Sequence, residues 1–186
     1  PMDGVMASIY AGLGKALSAT VQRGQIQDVL SSLGLAFDYY VEAGDVARAV
    51  AVAECPLPSF IGRLGGSAER VASALKLVPP DSHDAGRLLG RYVRLIGSEK
   101  DGFDSARDAF DRALVISQRE ADISLEMQAL AGFSYVPYLN NQRQESLKHG
   151  LRAIDLAQQA ARRGAHSHRQ PARLRQRRSP WRALLS

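Results

Sequence analysis

A chain of 186 residues that is 45% hydrophobic but only 6% aromatic can bury a core of its own and is too apolar to be disordered throughout. Its net charge of +5 is unevenly placed: residues 1–160 hold 16 Lys and Arg against 19 Asp and Glu, whereas residues 161–186 hold eight Arg and no acid. The single Cys55 excludes a disulfide within the chain and any multi-cysteine zinc site, and no run of eighteen apolar residues suits a membrane span.

In chain order, residues 5–22 place Met6, Ile9, Tyr10, Leu13, Leu17 and Val21 on one helical stripe, weakened by Gly12 and Gly14. Residues 25–43 repeat the period with Ile26, Val29, Leu30, Leu33, Phe37, Tyr40 and Val41. Gly44 ends that helix, and Asp45 is placed to cap a short one over 46–54 that presents Val46, Ala49, Val50 and Ala53. CPLPSFIGRLGG, residues 55–66, reads as a connector. Ser67 is expected to cap a helix to Val78, and Asp81 or Ser82 the next, whose apolar face is Ala85, Leu88, Leu89, Tyr92, Val93 and Ile96. Residues 103–120 follow with Phe103, Ala106, Phe110, Ala113 and Leu114. Asp122 opens another helix through Ile123, Met127, Leu130 and Phe133, with a kink or early stop expected at Pro137. Residues 143–161 finish the ordered body, with Leu147, Leu151, Ile154 and Ala157 as the apolar set. The reading is all-α: about eight helices, mostly antiparallel to their neighbours, and no strand.

FDSARDAFDRAL (103–114) carries Ala106, Phe110 and Ala113 at the spacing of the second helix of a tetratricopeptide repeat. GRLLGRYVRLI (86–96) stands where the first helix would, with Leu89–Gly90 at its Leu-Gly pair and SEKD (98–101) as an insertion. A second copy aligns Tyr40, Gly44, Asp45, Val46 and Ala49, and a third, over 127–157, keeps Ala153. In this order of elements, residues 6–161 resemble the helical-repeat arm of STAND-type signalling ATPases, among them the large ATP-binding LuxR-family transcription regulators. The resemblance implies a tetratricopeptide-like superhelix of antiparallel hairpins over 5–161, followed by a basic arginine-rich tail over 162–186. It also implies a cytoplasmic regulator in which this region binds a protein partner or senses a ligand. The family's ATPase module has no counterpart in these residues.

No catalytic constellation is legible, so neither an enzyme activity nor a cofactor is expected. AGLGKALS (11–18) ends like a phosphate-binding loop, but Ile9 stands where that loop needs glycine and Ala16 where it needs Ser or Thr. Asp104, Asp108 and Asp111 share a helix face with Arg107 and Arg112 and read as solvated pairs. His166 and His168 lack a carboxylate or thiol partner, so no metal site is expected.

Arg87, Arg91 and Arg94, spaced by four and three, share one helix face, and the tetratricopeptide template puts them on the concave surface. Tyr135 and Tyr138 take the corresponding positions of the next repeat. Three guanidinium groups flanked by tyrosines suit a protein or peptide partner, or a small anionic ligand, through bidentate contact to carboxylate or phosphate. A plain solvated arginine stripe is the rival reading. In the tail, Arg173, Arg175, Arg177 and Arg178 suit contact with nucleic acid by counterion release. Alternatively, Ser179 and Pro180 start a helical turn that docks Trp181, Leu184 and Leu185 as a cap. Open ends of a helical stack leave a homodimer open as well.

Overall fold

The computed structural model describes residues 2–20, 26–57, 66–97, 99 and 101–168. Among these the chain is all-helical, as its alanine- and leucine-rich composition leads one to expect. The elements are α1 (Gly4–Thr20), α2 (Ile26–Glu42), α3 (Val46–Ala53), α4 (Ser67–Leu75), α5 (His83–Ile96), α6 (Phe103–Arg119), α7 (Ile123–Leu139) and α8 (Arg143–His168). No helix among the described residues is long and apolar enough to cross a membrane.

Three of the turns are built alike. After α2, the Asp45 N–H donates to the Tyr40 carbonyl at 2.9 Å and the Gly44 N–H to the Val41 carbonyl at 3.1 Å, with Gly44 at φ +69°. After α6, the same two bonds run from Asp122 to Ser117 (2.9 Å) and from Ala121 to Gln118 (3.2 Å), with Ala121 at φ +52°. After α7 they run from Gln142 to Pro137 (2.8 Å) and from Asn141 to Tyr138 (3.3 Å), with Asn141 at φ +58°. Each turn satisfies carbonyls that the helix end leaves open, and each needs one left-handed residue. Asp45 and Asp122 then cap the following helix, Asp45 accepting from the Arg48 N–H and Asp122 from those of Ser124 and Leu125. One residue thus closes one helix and opens the next, which holds each connector to three residues.

Several boundaries depart from expectation. Gly66, at φ +82°, precedes the first turn of α4, while the buried Ser67 hydroxyl caps nothing, and the helix stops at Leu75. Ser82, not Asp81, caps α5 by accepting from the Ala85 N–H. Pro137 does not stop α7, because it lies in the last turn and its own carbonyl is taken up by the turn that follows. Finally, α8 continues past residue 161 to His168.

In the second half of the chain each helix meets more than one neighbour. α5 lies against both α6 and α7, and α7 in turn against α8. Glycine permits this approach: a Cβ on Gly86 would come within 2.7 Å of Ile116 and 2.8 Å of Leu125. At the centre, Phe110 and Phe133 stack with ring centroids 4.2 Å apart.

The two outermost helices overturn the expected apolar faces. α1 turns Ala7, Gly14 and Ser18 inward, leaving Met6, Ile9 and Leu13 exposed. A Cβ on Gly14 would sit 2.6 Å from the Leu33 side chain, so small residues here set how closely α1 can approach α2. In α8 the inward residue is Leu156, with His149 and Ala153 partly buried, while Leu147, Leu151 and Ile154 face outward.

Candidate functional site

Two of the three α5 arginines are engaged inside the chain. Arg87 Nε donates to Glu54 Oε1 at 2.8 Å, and its Nη2 lies 3.0 Å from Asp84. Arg91 is only 8% exposed. Its Nη2 donates to the Cys55 carbonyl just beyond α3, and its Nε has no hydrogen-bond partner among the described residues. Burial, and then the neighbouring Arg94, bring the Arg91 pKa down to about 10, so the side chain remains charged at neutral pH. Burial also raises the Glu54 pKa, against the opposing pull of Arg87. From α4, Arg70 donates to the Leu30 carbonyl at 3.1 Å, and burial lowers its pKa as well. These bonds tie α5 to α3 and α4 to α2 across the connector of residues 55–66.

Arg94 turns the other way. It is half-buried, and a Cβ on Gly132 of α7 would lie 3.8 Å from its own Cβ. One turn further along α7, Tyr135 and Tyr138 are 51% and 58% exposed, their ring centroids 6.3 Å apart and their planes at 26°. Of the expected site, the two tyrosines are exposed, Arg87 (paired with Glu54 and Asp84) and Arg94 are partly exposed, and Arg91 is out of solvent. Arg173, Arg175, Arg177 and Arg178 lie outside the described residues.

A groove between α1 and α3 is a feature that the apolar periodicity does not reveal. It encloses about 490 Å³, floored by Ala11, Leu33, Tyr40 and Val52, with Lys15, Arg48 and Glu54 among its polar lining. The Arg48 guanidinium lies 5.6 Å from the centre of the Tyr40 ring and 3.4 Å from Asp45. The groove exists because α1 is turned onto its small residues. The readable signal was the spacing of Ala7, Ala11, Gly14 and Ser18 by four, three and four, which competes with the larger apolar stripe. Lys15 sits within α1, so the phosphate-loop resemblance around it falls inside a helix.

Elsewhere, ion pairs link neighbouring helices. His83 Nε2 lies 2.7 Å from Asp122 Oδ2, joining the starts of α5 and α7, and Arg107 Nη2 lies 2.8 Å from Glu145 Oε2, joining α6 to α8. Among the described residues no group of three or more His, Cys, Asp and Glu is placed to hold a metal ion. No family model matches this chain, and no curated protein sequence matches it.

Proposed function

We propose that this chain is a non-catalytic interaction module, a tetratricopeptide-like stack of helical hairpins within a signalling or transcriptional regulator. The observation that carries the reading is the packing of α5 against α7 at Gly86, Gly90 and Gly132, while each also packs against its own hairpin partner. Repeat proteins stack this way because no single hairpin can hide its apolar face, and the first helices of successive hairpins then share one surface. On that surface Arg94, Tyr135 and Tyr138 form the partner site: the tyrosines supply rigid amphipathic contact area and the arginine pairs with a carboxylate. The partner class is an acidic peptide segment of another protein. Panning a random peptide library on the immobilised chain tests this. Recovered sequences should be enriched in Asp and Glu, and loss of that enrichment is expected for Arg94→Glu.

A second reading, ligand sensing, is favoured by the α1–α3 groove. Its volume falls within the range of small-molecule sites, and it combines an apolar floor with two cations. Filling it by Ala51→Trp should abolish binding of a small apolar carboxylate while leaving peptide binding at α5 and α7 intact.

A further inference from the structure

The geometry points to α8 as a self-association surface, through which two copies of this chain pair antiparallel about a twofold axis. Leu147, Leu151 and Ile154 are 63%, 56% and 56% exposed, and their spacing by four and three aligns them along one outward stripe. Their inward counterparts, His149, Ala153 and Leu156, already face the rest of the chain. A row of large aliphatic side chains of this kind, left in water on a 26-residue helix, is a surface that a partner covers.

The flanking charges specify which partner. Lys148 and Asp155 are exposed and each follows a residue of the stripe, so they lie on the same side of it, about 10 Å apart along the axis. In an antiparallel pair centred between Leu151 and Arg152, Lys148 of each copy meets Asp155 of the other, twice by symmetry. A parallel pair, whose twofold axis runs along the helices, would put the Lys148 and Asp155 flanks of the two copies on opposite sides of the seam, where the two charges do not meet. Among the described residues Asp155 interacts along its own helix, with the exposed Arg152 at 3.4 Å and with the partly buried Gln159 at 2.9 Å, and Arg152 also lies 3.4 Å from Glu126 of α7. The other exposed stripe, Val5, Ile9 and Leu13 on α1, is a poorer match for α8, because Lys15 is the only charged residue in that helix.

Sedimentation analysis of the full chain tests the pairing. A dimer is expected, converted to monomer by Leu151→Glu and unaffected by Ile9→Glu. Lys148→Asp and Asp155→Lys should each weaken the dimer by at least about tenfold, and the double swap should restore it. A chain that stays monomeric at every concentration tested overturns the inference, as does a double swap that fails to restore pairing. Growth into larger assemblies that Ile9→Glu abolishes would instead mean head-to-tail contact between α8 and α1. A monomer whose Trp181 emission shifts on Leu151→Glu would mean that residues 179–186 cover the stripe; Trp181 is the single tryptophan, so the signal is unambiguous.

Discussion

Arg91 of α5 donates to the carbonyl of Cys55, thirty-six residues earlier in the chain, and so fastens α5 to the segment that leaves α3. A guanidinium suits this position, since its positive charge lies just beyond the C-terminal end of a helix, which carries a partial negative charge. Arg91→Ala should therefore lower stability by about 2–3 kcal/mol, through the lost charge-assisted bond and the lost packing of its stem. Arg94→Ala should change stability by less than about 0.5 kcal/mol. Urea unfolding of both variants checks the contrast, and equal effects would remove Arg91 from the role assigned to it.

The left-handed turn positions make a second prediction. Ala121 takes the conformation that glycine takes at Gly44, at a cost of roughly 1 kcal/mol for an L-residue with a Cβ. Ala121→Gly should stabilise the chain by up to about 1 kcal/mol and Gly44→Ala should destabilise it by about as much. If both substitutions are neutral in urea unfolding, the two turns do not share a conformation.

Ala49 is fully buried in α3, which packs against α2, and Phe37 and Tyr40 of α2 belong to the same core. Ala49→Leu should cost about 1–3 kcal/mol by overpacking. A shift in thermal midpoint too small to measure would contradict the burial of that face.

Stability should also fall on mild acidification, because of His149. Its ring packs edge-on to Phe110 and Phe133, at centroid distances of 5.0 and 5.4 Å. Burial lowers its pKa below the usual 6.5, outweighing the favourable hydrogen bond to Glu145. A base whose pKa is lower folded than unfolded binds its proton more readily in the unfolded state, so its stabilising effect is present above pH 6.5 and is lost as pH falls through the folded value. His149→Phe should flatten this dependence between pH 7 and 5. Below that window a second loss is expected, as Asp122 and Glu145 protonate; their pKa values are held down mainly by hydrogen bonds, to His83 and to Arg107 respectively.

Much of the fold was legible because its signals are local. Gly44–Asp45 announces both the end of α2 and the cap of α3, and Asp122 announces α7. The kinship of the three turns was not, because Ala121 and Asn141 adopt the left-handed conformation without being glycine. The faces of α1 and α8 depart from expectation for a different reason. Each carries two stripes at helical spacing, and periodicity does not say which one turns inward. In α1 the small stripe wins, since Gly14 allows Leu33 to approach, and in α8 the inward stripe contains a histidine. The arginine row was legible as a row, but its partners were not. Cys55 and Glu54 meet Arg91 and Arg87 from thirty-six and thirty-three residues away in the chain, and spacing along α5 carries no trace of that.

The most direct test of the partner site on α5 and α7 is the affinity of a panned acidic peptide for the intact chain, measured by fluorescence anisotropy. Arg94→Glu and Tyr138→Ala should each weaken binding by about tenfold or more, with the thermal midpoint unchanged. Affinities that remain at the wild-type value in both variants would contradict the assignment of this surface.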